Sequence, residues 1–156
     1  MYVEVYGSDF LSLLSSYFKT LFFGDFCEKK QGEIELKDVC AAEFFHLLEA
    51  IYLSVDLEAD SEGVIRNNLE CLLRLADCYQ VEIVTKRCEM YLKKCPHNKV
   101  YLEDKIVYAQ EYRLTGLLDQ CIKEYKTVDD VKKLRRTSQY SRLTLENKVL
   151  ILENIT

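Results

Sequence analysis

Apolar residues recur at helical spacing through most of this chain, and the breaks between the runs mark its elements. Phe18, Leu21 and Phe22 stand at i, i+3 and i+4, one stripe of a helix that begins at Ser15 or Ser16. Asp25 to Gly32 is charged and ends that helix. Glu33-Ile34-Glu35-Leu36 alternates polar and apolar, the pattern of a strand with one covered face. From Ala41 the spacing turns helical again at Phe44, Leu47, Leu48 and Ile51, with Phe45 and Tyr52 widening the stripe. Cys40 stands three before Glu43, so a cysteine occupies the place of a Ser, Thr or Asp cap, and Asp38 is the substitute.

The flanking segments follow the same logic. Tyr2 to Tyr6 alternates as a strand, Gly7-Ser8-Asp9 breaks it, and a helix with Phe10, Leu11, Leu13 and Leu14 follows. Leu53 to Asn68 is rich in Asp, Glu, Ser and Asn and is expected to be a loop, with Val55 and Leu57 as a short edge strand. Leu69, Leu72, Leu73, Ala76 and Tyr79 form an amphipathic helix; Gln80-Val81-Glu82 turns into a second, with Val84, Cys88, Tyr91, Leu92 and Cys95, ended by Pro96. Ala76, Tyr79, Val81, Val84 and Cys88 return as Ala109, Tyr112, Leu114, Leu117 and Cys121, each 33 residues later. Two copies without the signature residues of ankyrin or TPR repeats argue for a repeated helical hairpin rather than a solenoid. Thr127-Val-Asp-Asp130 is an N-cap signature for a short helix to about Arg136. A polar break at Thr137 to Ser141 and a last helix marked by Leu145, Val149 and Leu152 complete the chain.

One long ungapped series carries a resemblance. Ser15-Ser16-Tyr17-Phe18, Leu21-Phe22-Phe23-Gly24, Glu28-Lys29-Lys30 and Ile34 through Val39 resemble the BTB (POZ) domain, above all the BTB modules of MATH-BTB proteins. LLRLADCYQVEIVTKRCEMYL is similar to that domain's last helical pair, so the resemblance covers roughly Phe10 to Cys95. It implies the α/β (α+β) class: a small sheet flanked by helical hairpins, then an α-helical tail. The implied division is a BTB/POZ domain at 1–95 and, at 96–156, a post-BTB helical pair with partial BACK-like helices. The usual first strand and its polar-basic signature are missing, Tyr6-Gly7-Ser8 standing in their place. That region often serves the homodimer in the family, so a member that no longer dimerises is one expectation.

The resemblance also supplies partners. Phe26-Cys27-Glu28 falls where BTB adaptors for cullin-3 carry a hydrophobic-X-Glu motif. Phe26 is then the apolar anchor, Glu28 the orienting carboxylate, and Tyr52 a continuation of the cullin-binding surface. Phe10, Leu11 and Leu14 correspond to the helix that packs across the two-fold axis of BTB dimers. The expected function is a protein-interaction adaptor of a cullin-3 RING ubiquitin ligase, its target protein held by the helical tail or by a dimer partner. The alternative is a module that assembles with itself or with another BTB protein, in scaffolding or transcription, without cullin.

Composition narrows the remaining classes. The 156 residues are 49% hydrophobic and 30% charged, with net charge −5 and a pI near 5.2. A phosphate-binding surface shows a basic excess, and this chain has none overall, so nucleic acid is not expected. Lys132, Lys133, Arg135 and Arg136 follow Asp129 and Asp130, the order that suits a helix dipole. No apolar run reaches membrane-span length and no signal pattern follows Met1, which predicts a cytoplasmic or nuclear protein without a membrane partner. The 7 cysteines are odd in number and suit small buried hydrophobes in a reducing compartment. No close pair such as CxxC exists, Cys95-Pro96-His97 offers no complete ligand set, and no metal is expected. His46 and His97 lack a nucleophile partner, and Gly7, Gly24, Gly32, Gly63 and Gly116 are too scattered for a phosphate loop. Glu33 and Glu35 are a strand's solvated face. Neither catalysis nor a cofactor is expected.

Overall fold

A computed structural model describes residues 2–4, 8–24, 33–36, 39–55 and 62–156. They divide into two compact units, Met1–Cys88 and Glu89–Thr156. Unit 1 holds β1 (Tyr2–Glu4), α1 (Ser8–Leu14), α2 (Ser16–Phe23), β2 (Glu33–Glu35), α3 (Ala41–Val55) and α4 (Glu62–Cys78). The division falls inside α5 (Glu82–Lys94), and unit 2 continues with α6 (Leu102–Glu111), α7 (Thr115–Glu124), α8 (Val128–Arg135), α9 (Gln139–Arg142) and α10 (Leu145–Asn154).

The α/β class is corrected: the protein is mostly helical, and no sheet flanked by helical hairpins is formed by the described residues. Their extended backbone is confined to β1 and β2, an antiparallel ribbon in the register Tyr2 to Glu35, Val3 to Ile34 and Glu4 to Glu33. Two strands of three residues are too short to form a layer of their own. The core of unit 1 is made instead by helix faces. Phe18 and Phe22 on α2, Phe44, Leu47 and Ile51 on α3, and Leu72, Leu73 and Ala76 on α4 are all buried. α1 packs on α2 and α3 on α4.

The segment after α3 is also corrected. α3 stays helical through Val55, so no edge strand starts there, and α4 begins at Glu62 rather than near Leu69; Leu57 lies outside the described residues. The polar run misled because Arg66 and Asn67 form the exposed side of a helical turn whose inner side is the buried Ile65. That turn joins the rest of α4 through a kink at Asn68, where φ is −128° and ψ is 18°. The Asn68 side-chain amide donates to the Val64 carbonyl at 3.0 Å, as a side chain does where a helix ladder is interrupted. Cys40 does take the N-cap of α3, its carbonyl accepting the Phe44 N–H at 3.0 Å; Asp38 lies outside the described residues.

At the heart of unit 1, Phe18 stacks on Tyr79 at 5.2 Å, meets Phe44 edge-on at 6.1 Å and lies 5.8 Å from Phe22. Ser15 fixes this cluster. It is the N-cap of α2, its Oγ accepting the Phe18 N–H at 3.1 Å, and the same hydroxyl donates to the Tyr79 carbonyl at the end of α4. Ser16 Oγ donates to Gln80 Oε1 beside it. One buried hydroxyl therefore satisfies a free N–H of one helix and a free carbonyl of another.

The repeated hairpin motif has a stereochemical basis. Gln80 adopts φ 54°, with the Val81 N–H on the Ala76 carbonyl at 2.8 Å and the Gln80 N–H on Asp77 at 3.2 Å. In unit 2, Arg113 adopts φ 55°, with Leu114 on Ala109 at 2.8 Å and Arg113 on Gln110 at 3.4 Å. Both are Schellman caps, a left-handed residue followed by a buried aliphatic that closes onto a buried alanine. The repeat is one of helix terminators.

Unit 2 has a core of Ile106, Leu117, Leu134 and Ile151, and side-chain amides add joints between its helices. Gln110 on α6 accepts the Thr144 N–H at 2.7 Å and Asn147 Nδ2 at 2.9 Å through Oε1, and donates to the Arg142 carbonyl at 3.0 Å. Asn154 donates to the carbonyls of Ile122 and Tyr125, at 3.1 and 2.9 Å. The buried Lys105 ammonium donates to the Cys95 carbonyl just past α5, where a cation suits the helix dipole. A side chain at Gly116 would run into Lys93 and into the Glu89 carboxylate, which accepts the Leu117 N–H at 3.0 Å.

The last helix forms where Leu145, Val149 and Leu152 mark it, as α10. Those three side chains are exposed, and the buried side chains of α10 are Asn147 and Ile151. The expected break before it also contains structure, the short helix α9. No helix of the described residues is long and apolar enough to cross a membrane.

Two predictions follow from these joints. Ser15→Ala strips both helix ends of a partner and is expected to lower stability by about 1–3 kcal/mol. Urea unfolding checks it, and a loss of only a few tenths would mean the hydroxyl carries little. The second concerns α8, which the capping box of Thr127 and Asp130 begins. The Thr127 hydroxyl, then the Thr127 and Lys126 N–H groups, hold the Asp130 carboxyl below its ordinary value of 3.8. A depressed folded-state value means the cap contributes fully above the ordinary value and is lost as pH falls through the lowered one. Asp130→Ala is expected to unfold at lower urea than the parent at neutral pH and to match it in strong acid. Equal midpoints at neutral pH would count against the box.

Candidate functional site

Exposed apolar side chains of unit 1 stand on α1 and α3, with Tyr17 and Phe23 exposed on α2 as well. α3 buries Phe44, Leu47 and Ile51, and a step of one residue rotates a side chain by about 100° around a helix. Phe45 and Tyr52 therefore stand out from the core, at 63% and 57% exposure, where the sequence placed them on the edge of the buried stripe. Glu49 lies between them on the same face, 3.5 Å from His46 Nδ1. That contact is an ion pair only when the imidazole is protonated.

α1 reaches the same surface. Phe10 stacks on Tyr52 with ring centroids 5.2 Å apart and planes inclined by 10°. Leu13 is the most exposed large apolar residue described, at 83%. Leu14 is half-buried and Leu11 is turned into the core. The pairing of Phe10 with Tyr52 was not legible in the sequence, where the two belong to separate helices 42 residues apart. Leu13 and Phe45 were missed as surface residues because each adjoins a residue that truly packs inward. Their only signal was spacing: Leu13 is three from Phe10, and Phe45 is seven from Tyr52. Phe26, Cys27 and Glu28 lie outside the described residues.

The chemistry of this surface is contact chemistry. Burial pushes the Cys88 and Cys121 thiols up to about 12, and it raises Cys71 as well, with Glu43 adding to the effect. Thiols held protonated in this way are poor nucleophiles. Among the described residues no group of His, Cys, Asp and Glu is placed to hold a metal ion. Arg74 on α4 donates to Glu43 at 2.7 Å, an exposed pair that ties α4 to the start of α3.

Comparison with known proteins accords with this geometry. A sequence profile described as the BTB/POZ domain matches residues 9–96, more than half of the chain. The chain is 32% identical over 146 residues to "BTB and MATH domain-containing protein 38" of Caenorhabditis elegans, covering 94% of this chain and 36% of that protein. It is 33% identical over 137 residues to "BTB and MATH domain-containing protein 36" of the same organism, covering 88% and 40%. With "BTB and MATH domain-containing protein 45" of that organism it shares 31% over 126 residues, 81% of this chain and 25% of the relative. The chain thus spans less than half the length of each of these relatives.

The Phe10–Tyr52 stack is directly testable. A double-mutant cycle with Phe10→Ala and Tyr52→Ala is expected to give a coupling of about 0.5–1.5 kcal/mol in urea unfolding. A coupling of zero would mean the rings do not support each other.

Proposed function

This chain belongs to the BTB/POZ domain family, whose members are protein-interaction modules, and on that premise we propose that it is an adaptor for a cullin-3 ubiquitin ligase. The observation that carries the reading is the outward face of α3, where Tyr52 and Phe45 present aromatic surface that the unit does not bury. Large aromatic side chains at the centre of a contact supply most of its binding free energy. Phe26 and Glu28 are assigned to the same interface, Phe26 as the anchor that fills a pocket and Glu28 as the carboxylate that orients it. Phe10, stacked under Tyr52, holds that ring in place.

A second reading, assembly with itself or with another BTB protein, is favoured by a different observation, the exposure of Leu13 on α1. On this reading Phe10 and Leu14 border the contact with the partner copy. Leu11, packed into its own unit, supports them from behind. Leu13 belongs to the second reading alone, whereas Phe10 serves both. Residues 1–95 act as the BTB module and 96–156 as its helical extension. The cytoplasm or nucleus is where such an adaptor works.

The test is binding of this chain to the N-terminal region of cullin-3, alongside Tyr52→Ala and a Phe26→Ala/Glu28→Ala double variant shown to be folded by circular dichroism. The parent is expected to bind, and each variant to weaken binding by about tenfold or more. A folded parent that does not bind removes the cullin reading. Concentration-dependent sedimentation of that parent, reduced by Leu13→Glu, would then support assembly alone.

A further inference from the structure

Unit 2 carries a surface that takes no part in the proposed cullin contact. The chain's net charge of −5 hides a strong asymmetry. Met1–Cys88 holds 16 acidic and 8 basic residues, and Glu89–Thr156 holds 10 acidic and 13 basic. The basic excess concentrates between Lys126 and Lys148, where 7 Lys and Arg face 3 Asp and Glu. Two of those three acids are already engaged, Asp130 in the capping box and Asp129 with Lys132 at 3.4 Å. The helix dipole accounts for the order of charges along α8. It does not account for where the cations meet.

They meet on one ring. The Arg135 guanidinium lies over Tyr140 at 5.9 Å from the ring centroid, and the Lys148 ammonium lies over the same ring at 4.6 Å. The ring positions both cations, and no carboxylate among the described residues pairs with either. Lys148 also belongs to the outward face of α10, with Leu145, Val149 and Leu152 at i−3, i+1 and i+4. Those three are 78%, 42% and 46% exposed. Lys148 and three exposed aliphatic side chains thus share one face of α10, and Tyr140 brings Arg135 of α8 beside them.

We propose that this face of α8 to α10 docks an acidic, amphipathic segment of a partner protein. Its carboxylates meet Arg135 and Lys148, and its apolar side chains cover Leu145, Val149 and Leu152. Charge complementarity chooses the sign of the occupant, and the aliphatic stripe chooses its kind. A nucleic-acid backbone has no use for three exposed aliphatic side chains.

The test is selection of a displayed library of random peptides on the full chain, repeated on Arg135→Glu/Lys148→Glu and on Leu145→Ser/Val149→Ser. All four positions are on the surface or half-buried, and thermal unfolding confirms that each variant is folded. The expected result is enrichment of sequences that interleave Asp and Glu with Leu, Ile or Phe. A synthetic peptide of the selected sequence should then bind the parent and lose about tenfold or more in affinity on either variant. Enrichment without acidic bias, or equal affinity for parent and variants, would overturn the proposal. So would duplex DNA, or vesicles of phosphatidylcholine with phosphatidylserine, displacing the peptide and binding more tightly than it. Self-association of the parent that either variant abolishes would overturn it too, by making a second copy the occupant. None of these results bears on the cullin test, which reads a different face.

Discussion

The hydroxyl of Ser15 is the joint on which unit 1 depends. It is buried, it caps α2, and it holds the carbonyl with which α4 ends. Neither helix end could be left bare inside the unit, since an unpartnered buried polar group costs more than a hydrogen bond returns. With both ends satisfied by one atom, α2 and the end of α4 come close enough for Phe18 to stack on Tyr79 and for Phe44 to meet both rings edge-on. Burial of that cluster also pushes the Tyr79 phenol up to about 12, so the ring stays neutral at any physiological pH. The Schellman turn at Gln80 then carries the chain directly out of the cluster into α5.

Unit 2 solves its packing differently. The inner face of α10 offers a buried amide, Asn147, beside a buried aliphatic, Ile151, while the exposed Asn154 reaches back from the end of the helix. The Asn147 amide can be buried because Gln110 completes its hydrogen bond, and Ile122 and Tyr125 accept from Asn154. The consequence is geometric. A helix that spends its inward positions on amides has its leucines and valines elsewhere, and here they face solvent. The exposed stripe of α10 follows from the hydrogen bonding beneath it.

The same contrast explains how far the sequence could be read. α2, α3 and the second part of α4 were legible because Phe18, Phe22, Phe44, Leu47, Leu72 and Leu73 bury at the positions that period 3.6 selects. The caps at Ser15 and Thr127 were legible because capping is local chemistry. The ribbon strands were found at Tyr2–Glu4 and Glu33–Glu35, but the α/β class built around them came from the family resemblance and did not survive, since the core is helical. Glu62–Asn67 was taken for loop because its single buried side chain, Ile65, is too little to set a period. α10 was legible as a helix, but the burial of Asn147 was not, because hydrophobicity has no term for an asparagine that finds its partner in another helix. Among the site residues, Tyr52 was named from resemblance, whereas its stack on Phe10 is a tertiary contact that no local pattern encodes.

Surfaces that take different proteins have to differ in what they attract. The α1–α3 surface of unit 1 is largely aromatic, with Phe45, Tyr52 and Leu13 exposed, Phe10 beneath and Glu49 between the two rings of α3. The α8–α10 surface of unit 2 is aliphatic and cationic, with Arg135 and Lys148 set on Tyr140. The first rewards a partner with an apolar pocket and is little affected by salt. The second rewards an anionic partner, and its exposed charges weaken as the ionic strength rises. A partner suited to one surface gains little from the other. The difference lies in what each unit leaves exposed: rings on α3 of unit 1, and aliphatic side chains beside a cation on α10 of unit 2.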